Sequence, residues 1–416
     1  MDIAISQKEI SSYQQEIHQT LQRLREAAPP LQPLDYFFQI VEQHFSLEKT
    51  SHEDVKVIVL GSNVPEELLL ASGAAYYWML GGSPRTGSWI SDIVPRDADA
   101  VSRSMLGFLD NDTGAFSKDV LILIPAVSDN NRKLAYMLRQ AGYKVHTIDF
   151  PPVKDKWAEE KWVRQWESCR EVLSAHTGRP ISSHALRRAA GSVSHCREQV
   201  RHFLKAADEM DGMMPGTLRM FILFSYFCTS NVEEWHLRLS MLTKKCRQTF
   251  LSKGPAKQGN VLLIGSPVYF PNYKVPFLIE DAGLHISGHV DGTTLELSRT
   301  PFIKGSGRTL VVRLASRFYQ NDCSGAYAQN DSLVDKVSHL IESNLIDGVV
   351  YQVLKGQIEP DFELERFEKL FEAYDLPVFR LETDYNGQDV EQLRIRLDAF
   401  MELITQRRYR KGAKAI

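Results

Sequence analysis

The chain has 416 residues, of which 43% are hydrophobic and 24% charged, with a formal net charge of -3. That composition is normal for a soluble globular protein and gives no bulk attraction to nucleic acid or to an anionic membrane. No apolar run is long enough to span a bilayer, and the polar start MDIAISQKEISSYQQEI lacks a signal-peptide core, so a cytoplasmic protein with no nucleic-acid or membrane partner is expected.

The length calls for more than one core. Residues 1–50 read as an N-terminal helical arm, with Ile10, Tyr13, Ile17 and Leu21 at helical spacing and a break at Pro29-Pro30. Residues 51–156 read as a first Rossmann-like α/β domain. Val55–Leu60 is its first strand, Gly61-Ser62-Asn63 the turn, and Pro65-Glu66-Glu67 the start of a helix, with proline in the first turn and acids complementing the dipole. Tyr76–Leu80, Asp119–Ile124 and Lys144–Asp149 are further strands. Residues 81–99 read as a polar loop and Val101–Phe108 as a helix.

Residues 157–256 are strand-poor and read as a helical bridging segment, whose Trp162, Trp166 and Cys169 suit a core better than a cofactor box. Residues 257–416 read as a second Rossmann-like α/β domain ending in a helix. Its strands are Asn260–Ile264, Leu284–His289, Gly348–Leu354 and Pro377–Leu381, and its helices include Phe277–Gly283, Ser332–Asn344 and Phe362–Tyr374. Asp291–Thr294 reads as loop and 300–330 as irregular. Alternating strands and helices imply mainly parallel sheets with helices on both faces. The two units share the order strand, Gly-Ser turn, helix, Gly, strand, which resembles an internal duplication.

Five cysteines, Cys169, Cys196, Cys228, Cys246 and Cys323, include no CxxC pair. This argues against a disulfide framework, a zinc ribbon or a self-contained cluster site. Gly61-Ser62 and Gly265-Ser266-Pro267 follow strands and precede helices, but neither GxGxxG nor a Walker sequence is present, so nucleotide binding is weakly indicated.

A series of short phrases resembles the 2-hydroxyacyl-CoA dehydratase and benzoyl-CoA reductase superfamily, which includes the 2-hydroxyglutaryl-CoA dehydratase D-component. Val64-Pro65-Glu66-Glu67-Leu68 with Ala71-Ser72-Gly73-Ala74, then Val94-Pro95-Arg96, Ser128-Asp129, Gly265-Ser266-Pro267 and Asp347-Gly348-Val349 occur in family order. Glu382-Thr383-Asp384-Tyr385 followed by Gln392–Glu402 is the most specific phrase. The resemblance implies two Rossmann-like domains, pairing with a related subunit around an acyl-CoA, and an ATP-dependent activator protein. It also implies a [4Fe-4S] cluster on cysteine thiolates that passes one electron to the thioester, so that a ketyl radical expels the hydroxyl. Benzoyl-CoA reductases apply similar chemistry to a ring.

The chain departs from the family where those cysteines are expected. The three positions fall near Ala98, at Ser128 and near Gly356 after Lys355, and none is a cysteine. Cys323 lies where many family members also carry cysteine, but one thiolate cannot hold a cubane. The expectation is a chain that binds no cluster alone, with a cysteine-bearing partner subunit carrying it.

Two classes of function are open. In one, the chain is a subunit of a dehydratase-type or reductase-type complex and shapes the acyl-CoA pocket. Glu66 and Ser128 are then catalytic candidates, and Ser62, Asn63, Asp129, Ser266, Lys355, Glu382 and Asp384 are substrate-binding candidates, because each lies at or near a strand end. Turn and helix-cap roles explain the same Ser, Asn and Asp residues. In the other class, the chain is a non-catalytic binding or regulatory protein on the same fold. The acidic run Glu359–Glu372 is then a candidate partner surface.

Overall fold

The computed structural model describes residues 4–48, 51–95, 98–111, 113–210, 213–248, 258–300 and 309–414. Arg96, Asp97 and the segments 249–257 and 301–308 lie outside the described residues. Two helices, α1 (Gln7–Ala27) and α2 (Leu34–His44), form the arm. The buried stripe Tyr13, Ile17, Leu21 and Leu24 holds α1 to the body, and Ser6 caps it through a capping box with Glu9.

Next come β1 (Val57–Leu60), α3 (Glu66–Ser72), β2 (Tyr76–Met79), α4 (Pro84–Trp89), α5 (Ala100–Leu109), β3 (Leu121–Ala126), α6 (Asp129–Gln140) and β4 (Lys144–Asp149). The strands form a parallel sheet in the order β2-β1-β3-β4. Val57 pairs with Tyr76 on one side and Leu121 on the other. All residues of β1, β2 and β3 are buried, which explains their unbroken apolar runs.

The strand-poor region folds as α7 (Lys156–Thr177), α8 (Ser183–Asp208), α9 (Gly216–Phe224), a single 3-10 turn (Ser225–Cys228) and α10 (Val232–Gln248). Trp162, Trp166 and Cys169 are fully buried core residues, in line with their sequence reading. Helix α8 packs on α3 of the first unit and also touches α12 (Gly292–Leu297) and α13 (Leu310–Asn321) of the second.

The second sheet is built from β5 (Gly259–Gly265), β6 (Leu284–Val290), β7 (Gly348–Leu354) and β8 (Val378–Thr383), again parallel, in the order β6-β5-β7-β8. It is accompanied by α11 (Lys274–Asp281), α14 (Asp331–Ser343), α15 (Glu359–Ala373) and α16 (Val390–Lys414). The two sheets therefore share one strand order, and the α/β class with two Rossmann-like sheets agrees with the sequence reading.

Three segments read as loop or irregular contain helices. Pro84–Trp89 is α4, too short for a periodic pattern, with the Ser83 hydroxyl accepting from the N–H of Arg85 and Thr86. Asp291 is not mid-loop but the N-cap of α12, its carboxylate accepting from the N–H groups of Thr293 and Thr294, both 3.0 Å. The region called irregular contains α13, whose Leu310, Val311, Leu314 and Phe318 make one buried stripe.

Candidate functional site

Parallel strands deliver their carboxyl ends to one side of a sheet, where open α/β folds bind ligands. Here the carboxyl ends of both sheets border one cleft of about 220 Å³. Ser62 and Asn63 line it after β1, Ser128 after β3, Gly265 and Pro267 after β5, and Asp291 after β6. Gly61 and Gly265 turn the chain out of their strands at φ +106° and +120°, a region L side chains rarely adopt. At Gly265 a Cβ would also lie 2.1 Å from the Gln352 carbonyl oxygen.

The three positions where the family resemblance expects cysteines converge at this cleft. Gln357, just after Gly356, donates from Nε2 to Asp99 Oδ1 at 2.8 Å, just after Ala98. Asn130, two residues after Ser128, donates from Nδ2 to the Gly356 carbonyl at 3.0 Å. The donor set at this meeting point does not fit a [4Fe-4S] cluster. Ala98 and Gly356 carry no ligand atom, and the Ser128 hydroxyl accepts from Asn131 N–H at 3.2 Å as the cap of α6. Cys323 also lines the cleft, but burial pushes its thiol up, away from the thiolate. Among the described residues no group of three or more His, Cys, Asp or Glu is arranged to hold a metal.

Glu66 lies elsewhere. It is not among the residues lining the cleft but is buried behind it, in a chain of charged groups. The Tyr226 hydroxyl donates to Glu66 Oε1. Arg197 of α8 lies 3.7 Å from Glu66, 3.8 Å from Glu67 and 2.8 Å from Glu296 of α12. Arg299 continues the chain, 2.8 Å from Glu296 and 2.6 Å from Asp322, and stacks 3.4 Å over the Phe318 ring. Asp322 Oδ1 accepts from Asn63 Nδ2 at 3.3 Å, which returns the chain to the cleft wall. Since Asn63 and Glu66 sit in one short turn, the side chains close a ring through α8, α12 and the end of α13. Four carboxylates meet two guanidiniums in that ring, and burial pushes the Glu66 carboxyl up to about 7, against the opposing pull of Arg197. Burial raises the Glu296 carboxyl as well.

The other sequence candidates do not line the cleft. The buried Ser266 hydroxyl accepts from Leu354 N–H at 2.8 Å and ties β5 to the end of β7. Asp129 is exposed and lies 3.3 Å from Arg132, while Lys355 is exposed. Glu382 is exposed on β8, 3.8 Å from Arg380.

Asp384 belongs to a clamp. Lys274 Nζ lies 2.6–2.7 Å from four oxygens, Thr383 Oγ1, the carbonyls of Asp384 and Asn386, and Asp389 Oδ1, among which its three N–H groups are shared. Asp384 also lies 3.5 Å from Arg103 of α5, and the Tyr385 hydroxyl donates to the Gly81 carbonyl at 2.9 Å. The most specific sequence phrase thus joins the end of the second sheet to the first unit.

Sequence reasoning missed Arg197, Glu296, Arg299, Asp322 and Lys274, whose partners are remote in the chain. It also read Glu359 and Glu363 only as part of an acidic run, although they line the cleft with Phe367. Their spacing of four placed all three on one helix side and was the available signal.

Comparison with known proteins agrees with the resemblance seen in the sequence. The family model described as "2-hydroxyglutaryl-CoA dehydratase, D-component" matches residues 61–404. YjiM of Escherichia coli (strain K12), provisionally named a dehydratase subunit, is 22% identical over 345 residues, 82% of this chain and 89% of that protein. The (R)-phenyllactyl-CoA dehydratase beta subunit of Clostridium sporogenes is 21% identical over 271 residues, 62% of this chain and 69% of that protein.

Proposed function

The chain belongs to the 2-hydroxyglutaryl-CoA dehydratase D-component family, and from that premise we propose that it is a subunit of a 2-hydroxyacyl-CoA dehydratase-type complex that shapes an acyl-CoA pocket. A benzoyl-CoA reductase-type complex would use the same pocket for a different acyl group. A related, cysteine-bearing subunit holds the [4Fe-4S] cluster, an ATP-dependent activator supplies it with electrons, and this chain holds no cluster by itself.

One observation carries the reading. The loops at Ala98, Ser128 and Gly356 meet at a cleft between two parallel sheets while offering no thiolate. The frame for a ligand is kept and the cluster donors are missing.

Within that reading, Ser62, Asn63 and Ser128 present the polar groups of the cleft wall to a thioester. The Asn63 carboxamide is oriented by Asp322, and Glu66 acts from behind it through Arg197 rather than as an acid or base on the ligand. Ser266 and Asp384 hold the frame. Asp129, Lys355 and Glu382 lie outside the cleft lining.

The test is anaerobic purification of the chain alone and after co-expression with a related cysteine-bearing subunit. The chain alone is expected to be nearly colourless, and the complex to be brown and to dehydrate a 2-hydroxyacyl-CoA only with activator and ATP. A chain that by itself carries about four irons and matching sulfide overturns the division of labour.

A further inference from the structure

One side of the cleft is apolar. Ile264, Val290, Leu295, Leu333, Tyr351 and Phe367 all line it. They are also parts of one packed apolar cluster between the second sheet, α14 and α15. On α15, Glu359 and Glu363 stand two turns and one turn before Phe367, so both carboxylates border this apolar wall. Glu363 Oε2 is buried without a hydrogen-bond partner. Asp99 and Asp291 add two further carboxylates to the lining, each engaged in capping a helix. Among the described residues lining the cleft there is no lysine, arginine or histidine.

We propose that this cleft selects an uncharged, apolar acyl group and rejects one that ends in a second carboxylate. The inference rests on reading the cleft as an acyl-thioester site and adds the class of acyl group. An apolar chain gains by leaving water for the wall of Leu295, Leu333 and Phe367. A distal carboxylate would lose its hydration there and face Glu359 and Glu363, a like-charge contact of the kind that excludes wrong partners. Space agrees with this. A cavity of about 150 Å³ lined by Leu, Ile and Phe holds benzene. A cleft of about 220 Å³ therefore has room for one aromatic ring or a short branched alkyl chain.

Calorimetric titration of the full chain with phenylpropanoyl-CoA, glutaryl-CoA and free CoA tests the proposal. Phenylpropanoyl-CoA is expected to bind at least about tenfold tighter than glutaryl-CoA. The double variant Glu359→Gln, Glu363→Gln is expected to narrow that gap by improving glutaryl-CoA. Equal affinities, or a preference for glutaryl-CoA, overturn the selectivity and leave the thioester site standing. No binding of any of the three overturns the thioester site itself, and the selectivity with it.

Discussion

The first and second sheets each leave their first strand through a Gly-Ser turn, and they use the serine differently. After β1, Ser62 and Asn63 face the cleft, and Asn63 is held by Asp322 at 3.3 Å. After β5, Ser266 turns back to accept the Leu354 N–H at 2.8 Å. The reason lies in the length of chain between each turn and its helix. Helix α3 begins at Glu66, so its first acids are pulled into the buried ring around Arg197. The second turn runs on to Tyr273 before α11 starts, and its serine fastens that longer loop to β7. A shared strand order fixes the backbone frame, while the packing behind each turn decides which side chains remain for a ligand.

The largest effect is expected from removing the centre of the ring. Arg197→Met leaves Glu66 and Glu67 without their guanidinium and Glu296 with Arg299 alone, and urea unfolding should show a loss of about 3–5 kcal/mol. Beside the second sheet the buried Arg219 of α9 pairs with Asp208, which is half exposed, so an equal loss from Arg219→Met would erase the contrast.

Next come the turn glycines. Gly265→Ala drives a Cβ into the Gln352 carbonyl and should cost about 3 kcal/mol. Gly61→Ala meets only Pro125, with Cγ at 3.2 Å, and should cost about 1–2 kcal/mol, mostly from its positive φ. Equal shifts in denaturant midpoint would show that the turns are equivalent.

A pH series sharpens the role of Glu66. Its folded-state value of about 7 lies above its ordinary 4.5. Its contribution to stability is therefore fully present below about pH 4.5 and is lost as pH rises through about 7, because the folded state binds the extra proton in that window. Glu16, also buried and raised to about 7, acts in the same direction, so the informative quantity is a difference. Melting temperatures of the wild type should fall from about pH 5 to about pH 7 more steeply than those of Glu66→Gln. Parallel curves would remove Glu66 as a titrating group.

The last pair of variants separates the two uses of serine. Ser266→Ala strands the buried Leu354 N–H and should cost about 1–3 kcal/mol without weakening ligand binding. Ser128→Ala removes a helix cap worth about 1 kcal/mol and, under the proposed function, should also weaken acyl-CoA binding. A loss of binding in Ser266→Ala but not in Ser128→Ala would reverse the assignment of the two serines.

Much of the frame was legible in the chain. Buried parallel strands such as Gly348–Leu354 need apolar, β-branched runs on both faces, so periodicity marks them directly. Long helices such as α1 and α14 carry their apolar stripe in order. Helices α4 and α12 did not show, because six residues make less than two turns and their Ser83 and Asp291 caps also read as turn residues. Of the candidate site residues, Ser62, Asn63 and Ser128 reach the cleft. Glu66 does not, since proline and two acids opening a helix look the same whether the acids meet solvent or a buried arginine.

What the sequence by itself determined is therefore the α/β class, the parallel strands, the family and the missing cysteines, all of which are local patterns or ordered phrases. The tertiary structure alone decided where those phrases meet. It brought Ala98, Ser128 and Gly356 to one cleft and sent Glu66 behind it into the ring with Arg197, Glu296, Arg299 and Asp322. It also made the Thr383–Tyr385 phrase a clamp around Lys274. The physical reason is that a buried charge must find its counter-charge wherever the packed chain places one, and that partner leaves no mark at any fixed spacing in the sequence.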